Sequence, residues 1–137
     1  YYYDQKEGWS FIPTENNNDR QVLTGEVKHL DAIAIIEDVT PPMIKSMHPG
    51  HNGNYPSLEL NQFKIIIDDA LSGFEPEEDS FELKLDNTSL FYAYQPKSKT
   101  IYYEMERPLP IGTHTIQFKV RDRAGNETSR NIEFKVY

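Results

Sequence analysis

Apolar residues fall at every second position through four stretches of this chain: Phe63, Ile65 and Ile67; Phe81, Leu83 and Leu85; Ile116, Phe118 and Val120; Ile132, Phe134 and Val136. A period of two puts alternate side chains on one face of a strand, so these twelve predict the inward face of a packed sheet. Further strands are predicted over Met43–Met47, Leu90–Tyr94 and Thr100–Met105. The breaks between them carry turn chemistry. His48–Ser57 is rich in Gly, Asn and Pro, Asp86 and Asn87 tolerate positive φ, and Pro96–Lys99 closes a hairpin. Strand signals recurring every 8–15 residues or so, with no helical period between them, predict an all-β sandwich.

The N-terminal part reads differently. Trp9–Ile12 and Glu26–Ile36 predict two strands around the polar loop Thr14–Arg20. Two strands rarely hold together alone in water, so this pair needs a partner surface for Trp9, Phe11, Ile33 and Ile35. The sandwich end or a second copy of the chain would serve. The phrase Asp38-Val-Thr-Pro-Pro42 marks the boundary. Pro41 and Pro42 remove two backbone donors and hold the chain extended. The expected organisation is therefore residues 1–38 as the C-terminal strand pair of a preceding β-domain and residues 39–137 as the sandwich. With no signal-like segment at Tyr1, the chain reads as a piece of a longer protein whose targeting information lies elsewhere.

Composition narrows the function classes. The 137 residues suit one sandwich of roughly 100 residues plus a fragment. The net charge of −8 repels phosphate backbones and anionic membranes, which argues against nucleic-acid binding. No stretch approaches the roughly 20 apolar residues of a membrane helix, so no membrane insertion is expected. Cysteine is absent, which removes disulfides, thiolate metal sites and thiol nucleophiles.

The hinge at 38–42 and the phrase Arg121-Asp-Arg-Ala-Gly-Asn126, with its earlier counterpart Asp68–Gly73, resemble the Ig-like β-sandwich modules of bacterial surface and secreted proteins. The resemblance covers residues 38–137. The aliphatic run Ala32–Ile36 before the hinge is also similar to modules accompanying M23-type metallopeptidase domains. It implies an all-β, Ig-like antiparallel sandwich and an extracytoplasmic bacterial setting. The implied role is a non-catalytic one of spacing, orienting or docking neighbouring domains of the same polypeptide. The M23 zinc motifs, a His-x-x-x-Asp pair and a His-x-His pair, are not formed by His29, His48, His51 and His114.

Three chemistries compete with that role. Asp68, Asp69 and Asp122 follow strands whose ends share one pole in such a topology, and Asp38 and Glu37 arrive there with the hinge. With Asn126 they could offer oxygen ligands to calcium. The alternative is that these groups cap turns by accepting backbone N–H bonds, with Ser72, Gly73, Gly112 and Gly125 as turn residues. A row of exposed rings among Tyr92, Tyr94, Tyr102 and Tyr103 could stack on a cell-envelope glycan or contact another protein. Core margin is the competing assignment for those tyrosines. His48 and His51 could hold a metal only with further ligands. The carboxylates of Glu75, Glu77, Glu78 and Asp79 lie in a polar loop with no apolar pocket to raise a pKa, so no glycosidase pair is expected. No Gly-x-Ser-x-Gly elbow or Gly-rich phosphate loop occurs, and no catalytic residue or resident cofactor is expected.

Overall fold

The computed structural model describes residues 1–28, 32–76 and 79–137. They divide into two compact units, Tyr1–Val39 and Thr40–Tyr137.

The first unit holds two antiparallel hairpins. β1 (Tyr2–Asp4) pairs with β2 (Gly8–Ser10), and β3 (Thr14–Asn17) with β4 (Val22–Gly25). Gly8, at φ +77°, opens β2 after the turn. Tyr3 lies opposite Trp9 and the two rings meet edge to face at 5.3 Å. A short bridge pairs Tyr2 with Ile33, fixed by Tyr3 N–H to the Ala32 carbonyl at 2.9 Å and Ala34 N–H to the Tyr1 carbonyl at 3.0 Å.

This corrects the expected pair of long strands. The supposed polar loop at 14–20 contains a strand, and among the described residues the supposed strand over 26–36 contributes only the pairing around Ile33. His29 and its two successors lie outside the described residues. The physical reason is exposure: every residue of β3 and β4 is exposed, so this ribbon needs no apolar face and shows none in its residue pattern.

The second unit is a β-sandwich. One sheet runs β10 (Ala93–Gln95), β11 (Thr100–Glu104), β7 (Gln62–Asp68), β5 (Met43–His48). The other runs β6 (Asn54–Tyr55), β13 (Glu127–Val136), β12 (Gly112–Arg121), β8 (Phe81–Leu85), β9 (Thr88–Ser89). Pairing is antiparallel throughout except for β6, which runs parallel to β13. A bulge between Ile44 and Ser46 interrupts β5 beside β7. Asp86 and Asn87, at φ +47° and +66°, make the two-residue turn between β8 and β9. A turn of 3-10 helix, Pro96–Ser98, joins β10 to β11.

The inward faces of both sheets form one core. All twelve alternating residues belong to it or pack on it, eleven buried and Leu85 half-buried. Phe63 of one sheet meets Phe134 of the other at 6.1 Å. Ile44, Leu60, Phe74 and Ile101 complete the core. They stand outside the four alternating triplets, in a bulged strand, two loops and a short strand beside tyrosines.

Candidate functional site

The pole where β7 and β12 end gathers most of the singled-out residues. β7 belongs to one sheet and β12 to the other, so the segments that follow them approach across the end of the core. One carboxylate oxygen of Asp69 lies within 4.8 Å of one of Asp122. Both side chains serve their own turns. Asp69 Oδ2 accepts Gly73 N–H at 2.7 Å and Leu71 N–H at 3.1 Å. Asp122 Oδ1 accepts Asn126 N–H at 2.9 Å, and its Oδ2 accepts the Asn126 side-chain amide at 2.9 Å. Asp122 N–H donates to the Asn126 carbonyl at 3.0 Å, closing the turn. Gly73 and Gly125, at φ +68° and +93°, take the left-handed conformation that a side chain would strain.

Arg123 joins the two turns. Its N–H donates to the Gly73 carbonyl at 2.9 Å and its Nη1 to the Ser72 carbonyl at 3.1 Å. Nε and Nη2 both reach Glu75 Oε2 at 3.3 Å. Its place among the turn residues in sequence gives no sign of this bridging role, because the partner carbonyls come from a segment some fifty residues earlier. Beside the pole, Thr128 Oγ1 donates to the Pro42 carbonyl at 2.5 Å, so the second hinge proline is held to the start of β13. Gly112 lies elsewhere, opening β12 opposite Val136.

The remaining acidic candidates are placed otherwise. Asp68 is engaged by two lysines: its Oδ2 lies 2.5 Å from Lys45 Nζ and its Oδ1 2.5 Å from Lys99 Nζ. Hydrogen bonds from Lys45 and Lys99 hold its pKa down at about 2. Two ammonium groups leave that carboxylate little attraction for a further cation. Asp38 is a buried residue at the end of the first unit. Glu77 and Glu78 lie outside the described residues.

The tyrosines turn mostly inward. Tyr92 packs on Phe81 and donates its hydroxyl to the Phe81 carbonyl at 2.8 Å. Tyr94 lies against Phe81 at 4.8 Å and Phe74 at 6.4 Å, and Tyr103 against Phe63 at 5.5 Å. Burial raises the pKa of both Tyr92 and Tyr94 above the ordinary phenol value. Tyr102 takes the outer face with Lys64 Nζ 5.9 Å from its ring centre. Phe91, next in chain to Tyr92, is the fully exposed ring of this region.

Among the described residues, no group of three or more His, Cys, Asp or Glu donors contains a histidine. His51 Nδ1 accepts the Glu133 N–H at 3.3 Å, and His48 meets Tyr55 edge-on at 5.2 Å. No helix among the described residues is long and apolar enough to cross a membrane.

No protein-family model matches the chain, and no curated protein matches it significantly. Solved structures do. PcoC, a methionine-rich copper resistance protein from Escherichia coli, is 14% identical over 72% of this chain and 100% of its own, with a TM-score of 0.55. CopC from Methylosinus trichosporium OB3b is 14% identical over 69% of this chain and 92% of its own, at 0.54. The dimeric latent PorU from Porphyromonas gingivalis is 18% identical over 90% of this chain and 13% of its own, also at 0.54. At these identities the likeness is one of fold: the second unit is a β-sandwich of the kind these proteins contain.

Proposed function

We propose that this chain is a non-catalytic, Ig-like β-sandwich module of a larger exported bacterial protein, where it spaces, orients or docks the domains beside it. The observation that carries this reading is the likeness to PorU, which extends over 90% of this chain yet takes up 13% of a much longer one. The described polar groups agree with it. Asp69, Asp122 and Asn126 spend hydrogen bonds on closing two turns and Arg123 on joining them, which stiffens one pole of the module. The hinge prolines suit a stiff joint to whatever precedes them, a peptidase domain of the M23 type being the candidate that the hinge phrase suggests.

A copper role, by analogy with PcoC, fits this chain poorly. Its three methionines do not make it methionine-rich, His51 is engaged by a backbone amide, and His114 has hydrogen-bond partners at both ring nitrogens. A glycan or protein contact through the Tyr-rich hairpin would have to use Tyr102 and Phe91, since Tyr92, Tyr94 and Tyr103 are engaged with the core.

Thermal melting separates these readings. A spacer should melt at one temperature with or without millimolar calcium, copper(II) or soluble cell-wall saccharides. A ligand present at a hundredfold excess over its Kd would add roughly 2.7 kcal/mol. A shift of that size with any of the three would replace the spacer reading with a binding module of that specificity.

A further inference from the structure

His114, near the start of β12, is 8% exposed and faces the core, yet both its ring nitrogens have acceptors in front of them. Nδ1 lies 2.7 Å from Asp86 Oδ2 and Nε2 lies 2.8 Å from the Pro110 carbonyl oxygen. A neutral imidazole carries one N–H and one lone pair, so it can donate to one acceptor and must turn a lone pair on the other. The imidazolium satisfies both.

The two acceptors are held differently. Asp86 is fixed by the β8–β9 turn, where its Oδ1 accepts Thr115 N–H at 2.8 Å and its own N–H donates to the Thr115 carbonyl at 2.9 Å. Pro110 belongs to the loop between β11 and β12. Pro108 and Pro110 have no N–H to give, so that stretch is tied down through carbonyls: Leu109 accepts Ser57 Oγ at 2.6 Å, and Pro110 accepts His114. The other wall of the site is the Phe134 ring of β13, 5.7 Å away. Glu133 and Lys135 flank Phe134 on the opposite, exposed face of the strand, and Glu106 and Arg107 of the loop are exposed. Asp86 is therefore the charged group that faces the ring.

We propose that His114 is a proton-operated latch: as imidazolium it ties the 105–111 loop to the β8–β9 turn, and on losing one proton it keeps Asp86 and lets go of Pro110. The proton retained is the one on Nδ1, because a hydrogen bond to a carboxylate is the stronger of the two. Burial works against the charged ring, but hydrogen bonds to Asp86 and Pro110 and the charge of Asp86 outweigh it and raise the His114 pKa above its ordinary value. With the folded pKa raised, the stabilisation is complete below about pH 6.5 and is lost as pH rises through the folded value.

The test follows two signals by NMR on the intact chain: the His114 ring proton, and amide exchange at Leu109, Ile111 and Gly112 corrected for intrinsic rates. Protection of these amides should fall on the order of tenfold, the size of one charge-assisted hydrogen bond, along the same curve that titrates His114. Asp86→Asn removes the charge and, with its Oδ1 still on Thr115 N–H, offers an amide N–H to Nδ1. His114 should then titrate at lower pH, while the neutral ring keeps its Nε2–H on Pro110 and loop protection stays level. His114→Gln should leave loop protection level across that range. Should His114 titrate at or below the ordinary imidazole value, or should the loop amides ignore its titration, the latch is wrong.

Discussion

The two units of this chain use β-structure in opposite ways. In the sandwich, long strands alternate and bury a continuous core with Phe63, Phe118 and Phe134 at its centre. Among the described residues of the N-terminal unit the four strands are three or four residues long, those of the second hairpin are exposed throughout, and Ile12 is the buried apolar side chain. One unit is organised by removing apolar surface from water. The other relies on backbone pairing and ring contacts such as Tyr3 with Trp9, which contribute far less each. Stability should therefore reside in the sandwich, and substitutions should sort by unit before they sort by chemistry.

The largest effect should come from the core. Phe118 is 1% exposed on the central strand of its sheet. Phe118→Ala should cost about 3–5 kcal/mol, comparable to the whole stability of a marginal domain. Urea unfolding followed by circular dichroism would measure it. A parent-like midpoint would mean that the sandwich core does not carry the stability assigned to it.

That contrast also explains what could be read from the residues. Alternation revealed β7, β8, β12 and β13 because a half-buried strand must segregate its side chains by face. The same logic misread residues 14–20 as a loop, since the exposed β3–β4 ribbon is under no such requirement and its sequence there is rich in Asn. At the pole, the turn chemistry of Asp69, Gly73, Asp122, Gly125 and Asn126 was legible because it is local: each carboxylate accepts amides two to four residues away. Arg123 was not legible, because its partners at Ser72, Gly73 and Glu75 are set by how the two sheets meet. The tyrosines were ambiguous for a related reason. Short strands such as β10 have too few residues to fix which way the rings point, and the neighbouring Phe74 and Phe81 decide it.

A smaller effect should follow at the pole. Asp122→Ala would leave the half-buried Asn126 amide without this acceptor, at a cost of about 1–3 kcal/mol. Asp122→Asn should recover part of it, since an amide oxygen can still accept the Asn126 N–H. Equal losses in the two variants would mean that the charge, rather than the turn hydrogen bond, is what the pole requires.

Smaller still is the acid dependence of Asp68. Its folded pKa, about 2, lies below the unfolded value near 3.9, so the stabilisation is present above the unfolded value and is lost as pH falls through the folded one. The site is partly solvated and flanked by half-exposed lysines, so screening should hold the contribution to about 1 kcal/mol or less. Stability of Asp68→Asn measured between about pH 4 and pH 2 should fall less steeply than that of the parent. Parallel curves would remove Asp68 from the account of acid unfolding.

The smallest effect on the sandwich should come from the N-terminal unit, and the chain carries its own probe for this. Trp9 is the sole tryptophan and sits in β2, so its fluorescence reports the first unit. The core-packed Tyr92, Tyr94 and Tyr103 give near-ultraviolet dichroism that reports the second. If the core stabilises the sandwich alone, the tryptophan signal should change at lower denaturant than the tyrosine signal, a departure from two-state behaviour. Trp9→Ala should remove a ring pair worth about 0.5–1.5 kcal/mol to the first unit while leaving the sandwich midpoint within about 0.5 kcal/mol of the parent. A fragment of residues 40–137 should share that midpoint and keep its cooperativity, because every residue of the core cluster lies within it. Coincident transitions, or a fragment that fails to fold, would make the first unit part of the sandwich's own cooperative structure. The contrast between the units would then lie in how their strands look and not in what holds them.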